Sequence, residues 1–311
     1  MDDGVDDSAR TSVFEHHRRL LFSIAYRMLG TVADAEDALQ DAFIRWQRAS
    51  ETDVRSPKAF LVTIVSRLCI NHLQSARVQR ETYVGEWLPE PLVTEPGSDV
   101  SRIAQVDESV SMAMLLLLER LTPVERAVFL LREVFDYTHA EIAGMLDINE
   151  ANCRQLLRRA RQHVRAERPR FSASGRQHTE LLERFSRAAG NGDMDELLSL
   201  LSNDVVLHSD GGGKANALPL PIYGSDKVAR ASVFGLTKLR TLNPLQRIAE
   251  INGEPGIVSY VEGRPQSVFT IEVHEGRISA IYIVTNPEKL SHLPPQRARV
   301  GVLHTRSGDQ E

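Results

Sequence analysis

Cysteine is scarce in this chain. Only Cys69 and Cys153 occur in 311 residues, each within an apolar helical pattern. That excludes a disulfide framework and fits a reducing, cytoplasmic setting. There is no CxxC pair and no His/Cys cluster, so neither a metal nor a cofactor is expected. Long apolar runs are lacking too. The run Met112–Leu118 falls well short of the ~20 residues that span a bilayer. The opening segment Met1–Arg10 is acidic and has no apolar stretch of the signal-peptide kind, so no membrane partner is expected. Nor is there an excess of positive charge. A formal net charge of -5 excludes a uniformly basic nucleic-acid coat, and any nucleic-acid contact has to come from a local patch.

What is present describes an ordinary globular protein, with 42% hydrophobic and 25% charged residues. The chain is long enough for two or three domains. Its charge is segregated: the N-terminus and residues 34–41 are acidic, whereas residues 154–170 are basic. The basic segment closes the stretch Tyr137–Arg165, which reads as a helix-turn-helix. Thr138 and Glu141 have capping-box spacing. Ile142, Ala143, Leu146, Ile148, Cys153 and Leu156 supply the apolar or small positions, and Asn149 suits the N-cap of the second helix. Asp147 stands in the turn where many such motifs place Gly, and Asp tolerates left-handed backbone angles. The second helix presents Asn152, Arg154, Gln155, Arg158 and Arg159, residue types able to pair with base edges or phosphates in a major groove. The bland alternative is a solvated Arg-rich helix in a bundle. It leaves the agreement of cap, core spacing and polar face unexplained.

Upstream, residues 12–29 form a first helix ended by Gly30. A second runs from Thr31 through TVADAEDALQDAFIRWQRA, with Asp34, Asp37 and Asp41 on one face and Glu36 and Gln40 beside them. Early acids favour a helix N-terminus, which accounts for Asp34 and Asp37 but not Asp41. A row of carboxylates also suits docking of a basic partner. Ser56-Pro57 starts a third helix, buried through Phe60, Leu61, Ile64, Val65, Leu68 and Cys69. Its other side carries Lys58, Arg67, Asn71 and His72. Residues 105–136 give two more helices, the second opened by the capping box Thr122–Glu125.

Together, AEDALQDAFIRW, SPKAFLVTIVSRLCINHLQSAR, LTPVERAVFLLREVFDYTHAEIAGML and RQLLRRARQHVR resemble regions 2 and 4 of the extracytoplasmic-function sigma factors of the sigma-70 family. The resemblance covers residues 12–80 and 105–165. It implies partners, core RNA polymerase and promoter DNA. It places Asp34, Asp37, Gln40 and Asp41 in the polymerase-docking helix. Arg55, Lys58, Arg67, Asn71 and His72 fall in the segment that melts and reads the -10 element. Asn152, Arg154, Gln155, Arg158 and Arg159 fall in the -35 helix. Arg67 and Asn71 stand where family members often carry Asn and Asp.

The linker at 81–104 is rich in Pro, Gly and acids. Its Trp87, Leu88, Pro89, Pro91 and Leu92 are more apolar than an inert spacer needs. WLPEPL resembles a linker motif of the sigma group that carries a C-terminal SnoaL-like extension. After a break near residues 171–175, residues 177–202 read as two helices. The pattern then alternates: a strand at 205–207 is followed by strands at 245–251, 256–261, 266–274 and 277–284, with turns at Glu262-Gly263 and Glu275-Gly276. This is an α+β domain resembling the SnoaL/ketosteroid-isomerase-like cone. Two further motifs support the same sigma group: Asp210-Gly211-Gly212-Gly213-Lys214 and Asn286-Pro287-Glu288-Lys289-Leu290. The resemblance implies that both touch the sigma core and regulate it in cis. Asp210 and Lys214 could pair across their turn or with a partner. His208, Tyr223 and Tyr282, with Asp210 and Asn286, are candidates to line a pocket for a small-molecule ligand.

The expected organisation is multidomain: region 2 at 1–80, the linker at 81–104, region 4 at 105–170, a SnoaL-like domain at 176–295 and a tail at 296–311. Two all-α DNA-binding modules thus precede an α+β cone. The expected function is promoter-directed transcription initiation, without enzymatic activity. One rival is a polymerase-independent helix-turn-helix regulator with a ligand-sensing domain. Another is a SnoaL-like enzyme with a fused DNA-binding arm.

Overall fold

The computed structural model describes residues 3–50, 54, 56–80, 83–94, 110–166 and 175–296. Arg55, one of the candidate -10 residues, lies outside them. Helix α1 (Asp3–Leu29) begins earlier than its apolar stripe indicates. It stops at Gly30, whose φ of +79° turns the chain sharply. In α2 (Val32–Gln47) the Thr31 side chain caps Asp34 N–H, as the sequence suggests. Helix α3 (Pro57–Arg80) follows Ser56, whose hydroxyl accepts from Ala59 N–H at 3.4 Å. The short strand β1 (Val93–Thr94) comes next, in the linker.

Helices α4 (Met112–Glu119), α5 (Pro123–Glu133), α6 (His139–Leu146) and α7 (Glu150–Ala166) make the second helical group. Both expected capping boxes form, at Thr122/Glu125 and Thr138/Glu141. Asp147 adopts the left-handed conformation at φ 56° and ψ 48°, and Asn149 Oδ1 accepts from Asn152 N–H at 2.8 Å. The turn of the helix-turn-helix is therefore built without glycine.

The two helical groups share one hydrophobic core. Leu21, Met28, Leu39 and Leu61 of the first group lie in the same cluster as Leu131 and Ile142 of the second. Buried Arg126 fastens the junction: it donates to the carbonyl of Met28 at 2.6 Å, at the end of α1, and pairs with Glu119 at 2.7 Å. Desolvation pulls its pKa down to about 9.

The remainder is α+β: α8 (Gly175–Asn191), α9 (Met194–Leu200), β2 (Leu201–Asp210), β3 (Ile222–Tyr223), α10 (Ser225–Arg240), β4 (Leu245–Ile251), β5 (Glu254–Val261), β6 (Arg264–His274), β7 (Arg277–Val284) and the single turn α11 (Pro287–Leu290). The seven-stranded order is β1-β4-β5-β6-β7-β2-β3. Only β2 and β7 run parallel among the pairs formed. Helix α10 has no counterpart in the sequence reading. Its buried stripe is Val228, Ala229 and Ser232, too small to stand out, and Gly224 starts it without a side-chain cap. The hairpin turns at Glu262-Gly263 and Glu275-Gly276 have positive φ at both residues, as does a third at Asn252-Gly253.

The two faces of this sheet do different things. Odd-numbered residues such as Leu207, Ile257, Ile271 and Ile281 pack on α8, α9 and α10. Even-numbered Val258, Val268, Tyr282 and Val284 pack on Leu88 and Val93 of the linker and on Met112 and Ala113 of α4. The sheet is thus covered on its outer side by the chain that connects the helical groups.

Candidate functional site

Four surfaces carry the polar residues singled out by the sequence. On α2, Asp37, Gln40 and Asp41 are exposed at i, i+3 and i+4, and the next turn adds Ile44, 41% exposed. Asp34 is engaged at home: its carboxylate accepts from the Thr31 hydroxyl at 2.5 Å and lies 3.5 Å from His72 Nε2 on α3. On α7, Arg154, Gln155 and Arg158 face solvent, while Asn152 is half-buried. Arg159 points differently, 3.6 Å from the almost buried Glu125 carboxylate on α5. Arg154 pairs with Glu150 one turn back, at 2.9 Å. The polar side of α3 is only partly open. Asn71 and His72 are exposed, but Arg67 Nε donates to the carbonyl of Met145 in α6 at 2.7 Å. Lys58 lies 5.7 Å from the ring centroid of Tyr137.

The fourth surface joins the linker to the C-terminal domain. Leu88 to Val93 are all buried. Trp87 fits against Gly30, where any Cβ would meet its ring at 2.6 Å. So Gly30 both ends α1 and admits the indole. Glu90 is held by α1 and the start of α2: Val32 N–H donates to its carboxylate at 2.7 Å, and Tyr26 O–H to its carbonyl at 2.6 Å. Tyr26 O–H also receives Asn252 Nδ2 at 2.7 Å. Asn252 in turn brackets Leu92 with two hydrogen bonds, and β1 pairs with β4 beside it. Thus the linker is an edge strand of the C-terminal sheet.

At the other end of the linker sits a buried ion pair. Asp210 is fully buried and lies 2.7 Å from Lys289 Nζ. The same carboxylate accepts from Tyr83 O–H at 2.6 Å, Leu88 N–H at 2.8 Å and Gly212 N–H at 3.0 Å. Lys289 also donates to the Leu88 carbonyl and lies 4.2 Å from the Trp87 ring centroid. Burial, then the Asp210 carboxylate, pushes the Tyr83 phenol up. Asn286 caps Glu288 N–H at 3.1 Å and donates to Tyr83 O–H at 2.9 Å. Gly212, at φ +58°, lies where a side chain would strike Asn286. Pro287 opens the turn and Leu290 packs in the linker-facing cluster. The partner of Asp210 is therefore Lys289, and Lys214 pairs with Glu288 instead. Both glycine- and proline-bearing motifs grip the linker, which carries their contact onward to the helices. Tyr26, Tyr83, Glu86 and Asn252 were not singled out from sequence. The Asn-Gly turn was a visible signal for Asn252, but its partner was not.

The structure does not place His208, Tyr223 and Tyr282 around the cavity of the C-terminal domain. On β2 and β7 it is Leu207, Ser209 and Ile283 that face a cavity of about 460 Å3 under α10. His208 and Tyr282 are one residue out of phase and lie on the linker side. There the His208 ring stacks on Tyr282 with centroids 5.2 Å apart, and its Nδ1 is 2.6 Å from Glu86 Oε1. Tyr282 O–H donates to Glu272 at 3.1 Å. Burial and the Glu272 charge push nearby Glu254 up to about 7. Tyr223 is 64% exposed on an edge strand. Asp210 and Asn286 belong to the linker clamp described above. Among the described residues no cluster of three or more His, Cys, Asp or Glu side chains could hold a metal ion. No described helix is long and apolar enough to cross a membrane.

Residues 13–78 match the Sigma-70 region 2 family and residues 111–164 match Sigma-70, region 4. The ECF RNA polymerase sigma factor SigJ of Mycobacterium tuberculosis is 38% identical over 302 residues, covering 93% of this chain and 95% of that protein. The chain belongs to the extracytoplasmic-function RNA polymerase sigma factors. SigI of the same organism is 30% identical over 294 residues, covering 94% of this chain and 97% of its own length. The crystal structure of SigJ superimposes with a TM-score of 0.74 at 35% identity, covering 92% of this sigma factor and all of that chain. The similarity therefore extends through the linker and the α+β domain and is not confined to the two helical regions. In this sigma factor α1–α3 lie within the region 2 match and its flanks. Helices α4–α7 correspond to region 4.

Proposed function

We propose that this sigma factor carries core RNA polymerase to promoters and that its C-terminal domain holds the two DNA-reading regions closed. As a family member it is a transcription initiation factor, and the chemistry of RNA synthesis belongs to the polymerase. Its place of action is the cytoplasm, where polymerase and promoter DNA meet. Asp37, Gln40 and Asp41, with Ile44 beside them, offer polymerase an acidic face with an apolar edge; Asp34 chiefly caps its own helix. Lys58, Arg67, Asn71 and His72, with Arg55 before them, serve the -10 element, where unpaired bases are held by cationic and stacking contacts. Asn152, Arg154, Gln155 and Arg158 serve the -35 element.

Arg158 and Arg159 divide the labour on α7. Arg158→Ala is expected to weaken -35 duplex binding by about 1–3 kcal/mol. Arg159→Ala is expected to cost less, because Glu125 already holds that guanidinium. Fluorescence-anisotropy titration with promoter duplexes checks the order. Equal losses would give Arg159 a direct DNA role.

The observation that carries the closed state is the Arg67-to-Met145 hydrogen bond, made within a core common to both regions. Elements named for positions -10 and -35 lie about 25 base pairs apart, or roughly 85 Å at about 3.4 Å per base pair. The 27-residue α1, the longest described helix, spans only about 40 Å at ~1.5 Å per residue. Two regions packed together on such helices cannot engage both elements at once, so initiation requires their separation. The linker that must move is the one clamped by Asp210, Lys289 and Asn252.

Run-off transcription with core polymerase on a randomised -35/-10 library tests this. Full-length protein and a truncation after Gly175 are expected to select the same promoter sequence, with the higher yield from the truncation. Failure of both to initiate would refute the promoter assignment. A lower yield from the truncation would reverse the sign of the regulation. A polymerase-independent regulator would give the exposed acids of α2 no task. The enzyme reading meets a cavity whose lining, among the described residues, has no carboxylate, imidazole or phenol to move a proton.

A further inference from the structure

The cavity between α10 and the inner sheet face lies apart from the polymerase- and promoter-facing residues named above, none of which lines it. Its volume of about 460 Å3 is that of a small-molecule site. The walls are apolar: Phe185, Leu207, Leu236 and Phe269 are among them. Hydroxyls mark the depth, since Ser259 and Ser267 are only 1% and 6% exposed. Ser259 Oγ accepts from Gln246 Nε2 at 3.3 Å. Among the described lining residues Lys238 is the one whose side chain is ionisable, and it is exposed beside Phe234 and Leu242. An apolar cavity with one cation toward solvent suits an amphiphile that buries its hydrocarbon and keeps an anionic group outside. A protein surface would need a broad face, not a recess with polar groups at its depth.

We propose that this cavity binds a small apolar carboxylate, with hydrocarbon against Phe185 and Phe269 and carboxylate at Lys238, and that occupancy is sensed by the linker clamp. The wall and the clamp are the same pieces of chain. Ser209 and Thr285 line the cavity, and each precedes a clamp residue, Asp210 and Asn286. The carbonyl of Asp210 accepts from Thr285 N–H at 2.8 Å and Asn286 N–H at 3.1 Å, and Ser209 Oγ accepts from Leu218 N–H at 3.3 Å. A ligand that displaces this wall displaces the groups that hold Tyr83 and Leu88. Binding stands on the cavity alone; the sensing half rests on the closed-state reading above.

The test titrates full-length protein calorimetrically with dodecanoate and, as a probe without charge, dodecan-1-ol. One dodecanoate per chain is expected. Lys238→Gln should weaken dodecanoate about tenfold, the scale of one charge-assisted contact, and leave dodecan-1-ol little changed. Gly235→Phe should abolish binding of both. An added Cβ there meets no atom within 4 Å, so the backbone tolerates a side chain, and Gly235 is part of the cavity lining that the ring is meant to obstruct. Absence of saturable dodecanoate binding would overturn the proposal, as would binding that survives Gly235→Phe. Equal weakening of both probes by Lys238→Gln would overturn the anionic assignment. A concentration-dependent dimer that Gly235→Phe dissociates, without dodecanoate binding, would show that a second copy covers the cavity. Saturating dodecanoate should change the run-off yield of the full chain and not that of the truncation. Unchanged yield, with binding intact, would remove the sensing half and leave the promoter assignment standing.

Discussion

Asp37→Lys combined with Asp41→Lys is expected to abolish association with core RNA polymerase while leaving the fold intact. Both side chains are exposed on α2, and the residues that bury that helix are Ala35, Ala38, Leu39, Ala42 and Trp46. The N-cap at Thr31 and Asp34 is untouched. The substitutions replace two negative charges with two positive ones on a face proposed to meet a basic partner. Like-charge juxtaposition at an interface costs several kcal/mol, which is a loss of about a hundredfold or more in affinity. Size-exclusion co-elution with core polymerase, alongside circular dichroism of the variant, separates lost docking from lost folding. A variant that co-elutes as the unsubstituted protein does would move the docking surface elsewhere.

The second large effect concerns Asp210→Ala. Asp210 is fully buried and balances Lys289, whose side chain is 8% exposed. Removing the carboxylate strands that ammonium and frees three donors: Tyr83 O–H, Leu88 N–H and Gly212 N–H. Breaking a buried pair by deleting one member costs about 3–5 kcal/mol, because the remaining charge is left without compensation. The expected result is a lower urea midpoint and easier proteolysis of the linker near Tyr83. By contrast, Lys214→Ala should change stability little, since its pairing with Glu288 is made at the surface. If Asp210→Ala were as mild as Lys214→Ala, the buried clamp would not be what fastens the linker.

Much of this was legible where local chemistry decides. The capping boxes at Thr122 and Thr138, the Asn149 cap and the left-handed Asp147 turn depend on residues within one turn of one another. Strands β4 and β7 have the bounds their alternation indicates. Where small residues blur the period, as in α10, the helix was invisible. Long-range pairing was invisible for another reason. Nothing local tells Asp210 that its partner lies 79 positions away at Lys289, or tells β1 that it pairs with β4. The misplaced pocket shows a third limit. Alternation reveals that His208 and Leu207 face opposite ways, but not which way the cavity lies. Likewise, Arg67 reads as a free basic group until the fold brings the Met145 carbonyl to it.

The claim at the centre of this account is that the arrangement seen here is silent and must open. Cys69 and Cys153 are both buried, so cysteines introduced by Ile64→Cys, one turn before Arg67 on α3, and by Leu146→Cys on α6, both half-buried in the common core, can be joined selectively by a bis-methanethiosulfonate crosslinker while Arg67 stays in place. Run-off transcription by this variant should fail when α3 and α6 are joined and return when a reductant cleaves the link. If the joined protein initiates as well as the cleaved one, regions 2 and 4 read a promoter without separating, and the closed-state account is wrong.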